Sequence, residues 1–145
     1  AACGLGKLAP VAKDDCTAVA IKLLTEDGHE NKTYELTGPE LINMQDAARI
    51  LSEVGGKPIE FTIISLADLD KILTDMGVPQ DYVEGMNIPG IGTSSKHDII
   101  TYEQGILEGH FAILSNDVET ILGRKPKALI DVFKENIETI KSFKG

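Results

Sequence analysis

The chain has 145 residues and a mass of 15.6 kDa, with 14 Lys plus Arg against 23 Asp plus Glu and a net charge of −9. That length reads as a single domain over residues 1–145, able to bury roughly 70% of its unfolded surface and so needing neither a structural metal nor disulfide staples. A pI near 4.7 and two arginines, Arg49 and Arg124, leave no basic field for phosphates, which argues against a nucleic-acid partner. No apolar run approaches the roughly 18 residues that cross a bilayer, so no membrane partner is expected either. Cys3 and Cys16 form no Cys-x-x-Cys pair and are too few for a disulfide framework, which points to a reducing, cytoplasmic setting. The opening Ala1-Ala2-Cys3 has no methionine and reads as a processed chain or part of something longer.

Glycine and proline punctuate the chain at the spacing of alternating helices and strands. Residues 8–12 are a short apolar run. After Asp14 and Asp15, the positions Cys16, Val19, Ala20, Leu23 and Leu24 make one helical stripe that stops at Gly28. Residues 32–37 alternate as a strand, with Tyr34 and Leu36 on one face, and Gly38-Pro39 ends it. Asn43 with Asp46 opens a second helix, carried by Met44, Ala47, Ala48, Leu51 and Val54 to Gly55-Gly56. Residues 59–63 read as another strand. Ser65 with Asp68 then starts a helix whose core face is Leu69, Ile72, Leu73 and Met76.

Residues 78–98 are the least regular stretch, with one helical turn expected at Tyr82 and Val83 and a loop through Asn87, Gly90 and Gly92 to Ser95. Residues 101–108 read as helix up to Gly109. Asn116 with Glu119 caps a short helix ending at Gly123, and Ile130, Phe133, Ile137 and Ile140 place a last amphipathic helix. The fold class expected is α/β, helix-rich, with about three short strands.

Few motifs point to chemistry. Gly4-Leu5-Gly6-Lys7-Leu8-Ala9 matches the G-x-G-x-x-A form of the dinucleotide fingerprint, but no strand precedes it, Pro10 follows it and no helix opens immediately after. A turn is the better reading, and no cofactor is expected on the isolated chain. His29, His97 and His110 are scattered without metal spacing, and Cys16 lies on a helix core stripe as an inert thiol. No Gly-x-Ser-x-Gly elbow occurs, and Tyr34, Tyr82 and Tyr102 lack a lysine four residues on, so no catalytic residue is named. The 87–98 loop remains as a mobile surface loop or a segment that contacts substrate.

Taken together, Gly6-Lys7, Lys13-Asp14-Asp15, the run from Gly28 to Pro39, residues 47–57, Ser65 to Pro79, the loop with Gly90, Gly92 and Ser94, and Leu122-Gly123-Arg124 with Pro126 resemble a known family. They run in the order found in the C-terminal part of NmrA-like atypical short-chain dehydrogenases, nearest to the NAD(P)H-dependent quinone and triphenylmethane-dye reductases. The resemblance implies the C-terminal part of an NAD(P)-binding Rossmann-type protein, its glycine-rich half absent from these residues. It implies a substrate-side lobe, inactive alone, with NAD(P)H as the cofactor of the full-length family and a quinone-like small molecule in the cleft. The substrate-cleft candidates are Gly4, Gly6, Lys7, Asn87, Ile88, Gly90, Ile91, Gly92, Ser94 and His97. A non-catalytic NmrA-like sensor or protein-interaction module and a stand-alone small-molecule binder stay open as alternatives. The partner expected is the N-terminal Rossmann half or, through the open edge of residues 32–37, a second copy in a homodimer.

Overall fold

Residues 1–142, described by a computed structural model, carry seven α-helices: α1 (Lys13–Thr25), α2 (Met44–Gly55), α3 (Leu66–Asp75), α4 (Lys96–Leu107), α5 (Asp117–Leu122), α6 (Leu129–Glu135) and α7 (Ile137–Ser142). They pack in pairs, α1 on α5, α3 on α4, and α2 on α6 and α7. Three of the helices open with reciprocal caps, Asn43 with Asp46, Ser65 with Asp68 and Ser95 with Asp98. In each, the cap side chain accepts from the third helical amide while the aspartate accepts from the cap amide, so two otherwise unpaired donors are satisfied at once. The Ser65 and Ser95 hydroxyls also donate to their aspartates, which holds the Asp68 and Asp98 carboxyls below the usual carboxylate range.

The Ser95 cap starts α4 five residues earlier than the apolar pattern suggested, and its Ser-x-x-Asp signature lies in the segment read as loop. Asn116 makes no side-chain cap; the Ser115 hydroxyl takes the Asp117 amide instead. At the C-terminus the single expected helix is two, α6 and α7, interrupted at Asn136. The helical turn expected at Tyr82 and Val83 is a tight turn closed by Met86 N–H on Val83 O, with Gly85 at φ 77°; both apolar side chains stay exposed because nothing packs over them.

The three expected strands form no ladder among the described residues. Residues 8–12, 32–37 and 59–63 fall in no strand, and the pairings among the described residues are isolated bridges, Leu8 with Ile42 and Ile88 with Gly92. A ladder needs two backbones paired along their length, and here a second backbone meets these segments only at single residues, Leu8 with Ile42, Ala9 with Gly38 and Thr62 with Ala1. Residues 32–37 are nonetheless anchored. Glu35 N–H donates to Asp117 at 2.7 Å, the Thr37 hydroxyl bridges the Ser115 backbone, and Tyr34 and Leu36 pack on the core of Val19, Val118 and Ile121. The Tyr34 and Leu36 face is therefore covered, while the amides of Thr33, Tyr34, Leu36 and Thr37 find no partner among the described residues.

Helix α1 faces inward through a different arc from the apolar stripe. Val19 is buried with Cys16 and Leu23 half-buried, but Ala20 is exposed and Leu24 is 85% exposed. The residue that turns the helix is Asp15, whose side chain is 0% exposed. Its carboxylate accepts from Arg124 Nη2 at 2.6 Å and from the Lys127 backbone N–H at 2.7 Å, so both oxygens are used. A buried carboxylate without such partners is strongly destabilising, and the pair fixes α1 against the segment leaving α5. Replacing Asp15 with Ala should lower the unfolding free energy by roughly 3 kcal/mol. Urea unfolding followed by far-UV circular dichroism measures this, and a change within about 0.5 kcal/mol, the usual size of surface effects, would show that the ion pair does not hold the helix.

Candidate functional site

Gly4, Gly6 and Lys7 lie in a turn pressed onto the C-terminal half of α4. Gly6 N–H donates to Cys3 O at 2.9 Å, Leu8 N–H donates to Ile42 O at 2.9 Å, and a Cβ at Gly6 would strike Ile106 O, so only glycine fits. These amides face the protein's own carbonyls, and α1 starts at Lys13, six residues beyond Lys7. The fingerprint-like residues therefore do not fit a dinucleotide: the pyrophosphate cradle needs free amides at a helix N-terminus directly after the glycines. Lys7 is exposed.

Asn87, Ile88, Gly90, Ile91, Gly92, Ser94 and His97 form a second group at the other end of the same helix. Ile88 and Gly92 exchange backbone hydrogen bonds of 2.8 and 2.7 Å, which makes residues 88–92 a closed turn within the expected loop. Its base is tied down. Lys96 and His97 amides donate to Pro79 and Gln80 carbonyls, and Lys96 Nζ reaches Asp70 at 2.9 Å and the Thr74 hydroxyl at 3.0 Å. Lys96 and Ile106 are ten residues apart on α4, about 15 Å at 1.5 Å per residue. The two groups of candidates are thus separated by most of a helix and do not converge on one point.

Beside the Gly4–Lys7 end, Leu8, Ala9, Pro10, Val11, Glu35, Leu36, Thr37, Tyr102, His110, Phe111 and Ile113 enclose an open groove of about 540 Å³, within the range of small-molecule sites. Tyr102 and Phe111 meet edge to face, ring centroids 4.9 Å apart, on its α4 side. Burial, followed by the neighbouring Glu103, pushes the Tyr102 hydroxyl up. Among the described residues no cluster of three His, Cys, Asp or Glu could hold a metal. The sequence offered no sign of this groove: Tyr102 drew notice only for lacking a lysine partner, and Phe111 and Ile113 fall in a stretch without a period.

One wall of the groove depends on Glu103. Its Oε2 accepts from the Ala2 and Cys3 amides, both at 2.7 Å, and so clamps residues 2–3, ahead of Leu8, onto α4. Cys3 is fully buried, and desolvation together with the Glu103 charge pushes its thiol up, away from the reactive thiolate. Glu103→Ala should release this segment and raise the alkylation rate of Cys3 by iodoacetamide at least tenfold, on the order expected when a buried thiol gains solvent. Peptide mass spectrometry separates Cys3 from Cys16; an unchanged Cys3 rate would mean that packing alone holds the turn.

No family model matches the chain. Similarity to individual proteins is extensive. The chain is 36% identical over 84 residues to an NAD(P)H azoreductase of Xenophilus azovorans, covering 58% of this chain and 29% of that protein. It is 31% identical over 93 residues to quinone oxidoreductase 2 of Escherichia coli, covering 64% of this chain and 32% of that protein. In fold it matches the structure of the Citrobacter sp. triphenylmethane reductase complexed with NADP(H), with a TM-score of 0.73, 27% identity, and 96% of this chain against 43% of that one. The chain thus spans less than half the length of these relatives. Its relatives and structural neighbours are NAD(P)H-dependent quinone, azo and triphenylmethane-dye reductases, and the chain is similar to the C-terminal part of these longer proteins.

Proposed function

We propose that this chain is the substrate-side part of an NAD(P)H-dependent oxidoreductase that reduces quinone-like or dye-like acceptors, and that it is inactive without a dinucleotide-binding half. The observation that carries this reading is the coverage: nearly all of this chain aligns with less than half of the triphenylmethane reductase. A second support is local, since the Gly6 and Leu8 amides in the one fingerprint-like motif are already bonded within the protein. When held by that other half, NAD(P)H supplies the hydride. This chain's contribution is to hold the acceptor: the groove walls Leu8, Leu36 and Phe111 exclude water, and Glu103 keeps the residue 2–8 segment in place. The far end of α4, with the 88–92 turn, shapes acceptor choice only if the cleft of the longer protein extends along the helix.

The isolated chain should give no saturable change in NADPH fluorescence up to roughly 100 μM, far above the micromolar affinity a built cofactor site provides. Joined to the dinucleotide-binding half of a relative, it should support NADPH-dependent reduction of menadione. Micromolar binding by the isolated chain, or a joined protein that binds NADPH and acceptor but never transfers hydride, would overturn the proposal.

The unpaired amides of residues 33, 34, 36 and 37 lead to a second expectation. In the absence of the other half they pair with a second copy, giving a homodimer in sedimentation across a hundredfold concentration range. A 15.6 kDa monomer at every concentration, with the Tyr34 and Leu36 amides slow to exchange, would show that the chain covers this edge alone.

A further inference from the structure

We infer that residues 58–62 are a docking edge for an extended segment that leads into Ala1 in a longer protein, running parallel to them and carrying apolar side chains at the second and fourth positions ahead of Ala1. The inference rests on the reading of this chain as one part of a longer oxidoreductase and names a contact through which the rest of that protein joins it. Two hydrogen bonds set the register. The Ala1 amino group donates to Thr62 O at 2.8 Å, and Ile64 N–H donates to Ala1 O at 3.2 Å. A residue that bonds through its nitrogen to one position and through its carbonyl to the position two further on is the repeating unit of a parallel ladder, here centred on Ile63.

The backbones on both sides of this unit alternate as a ladder requires. The Ala2 and Cys3 amides are taken by Glu103 Oε2, both at 2.7 Å, and both residues are buried, so the approach to Ala1 is fixed against α4. Ile59 N–H turns to the Ser52 hydroxyl of α2 at 2.9 Å, while Thr62 and Ile64 face Ala1. By the same alternation Glu60 and Pro58 present their backbone groups on the Ala1 side. Among the described residues the amides of Glu60 and Thr62 and the carbonyls of Pro58 and Glu60 have no partner, and all three side chains are exposed. A parallel strand continued backwards from Ala1 meets these groups in order. The residue two ahead of Ala1 donates to Glu60 O and accepts from Thr62 N–H; the residue four ahead donates to Pro58 O and accepts from Glu60 N–H. Pro58 has no N–H, and the edge ends there.

Side chains set the chemistry of the occupant. In this register the residue two ahead of Ala1 stands beside Phe61 and the one four ahead beside Ile59, as Ala1 stands beside Ile63. Ile59 is 44% and Ile63 55% exposed, and Ile59 and Phe61 border a hollow of about 540 Å³ against Ala48, Arg49 and Ser52 of α2. Apolar side chains in those two places cover surface that this chain leaves in water, and main-chain pairing along an open edge supplies the rest of the contact. The longer relatives match this chain with their C-terminal part, which puts most of their additional length ahead of the residue that matches Ala1.

The test adds four residues ahead of Ala1, behind an initiating methionine, and follows backbone amide hydrogen exchange by NMR. A Val-Thr-Val-Thr tail sets valine beside Ile59 and Phe61, Thr-Val-Thr-Val shifts the same residues by one, Val-Thr-Pro-Thr removes the N–H aimed at Glu60 O, and Gly-Ser-Gly-Ser controls for length. Val-Thr-Val-Thr should slow exchange at Glu60 and Thr62 by about tenfold or more relative to the Gly-Ser tail, at every protein concentration, with Phe61 on the other edge as the reference. The shifted tail should protect less, and the proline tail should not protect. Equal exchange with all four tails, protection by the proline tail as strong as that of Val-Thr-Val-Thr, or protection that appears only as a dimer forms would overturn the inference, the last by assigning the edge to a second copy. No cofactor or acceptor is present in this experiment, so a failure of hydride transfer in the joined protein leaves its result intact, and a tail that does not dock leaves the reductase reading to its own test.

Discussion

The architecture turns on one buried carboxylate. Asp15 occupies the first turn of α1, where an acidic side chain is favoured by the positive end of the helix, yet it points into the protein and not into water. Arg124, just beyond the Gly123 stop of α5, and the Lys127 amide, just before α6, complete its coordination. One side chain thus ties α1 to the α5–α6 connection, more than a hundred residues away in sequence.

Around this anchor the molecule is divided between segments that complete their own structure and segments that do not. The capped helices are self-sufficient, since Asn43, Ser65 and Ser95 each meet their aspartates locally. The extended segments 32–37 and 59–63 are not. Their side chains are partly packed, but a ladder needs a neighbouring backbone, and here Glu35 meets only a carboxylate and Ile59 only the Ser52 hydroxyl.

Helix α4 is the element that relates the sites to one another. The Gly4–Lys7 turn, Glu103, Tyr102 and Gly105 lie toward its C-terminal end, and the 88–92 turn and Lys96 lie at its N-terminal end. The aromatic groove belongs to the first group. Its formation relies on two glycines with different roles, Gly105 giving room to a ring and Gly109 reversing the chain so that the ring arrives.

What was legible in the sequence was local. Helix stops at Gly56 and Gly123, the Asn43 and Ser65 caps, and the apolar positions Val19 and Leu73 follow from interactions spanning a few residues, which a pattern can carry. The likeness to the quinone and dye reductases was legible as well, through seven short segments read in order. Tertiary structure alone decided that Asp15 is buried while Leu24 is exposed, that residues 32–37 are extended without being a strand, and that the Gly4–Lys7 and 88–92 candidates sit at opposite ends of α4. It also decided that Tyr102 and Phe111 form one wall. The burial of Asp15 depends on Arg124 and the anchoring of residues 35–37 on Ser115 and Asp117, all far along the chain, and hydrophobic periodicity records only which face of an element is apolar, not what comes to meet it.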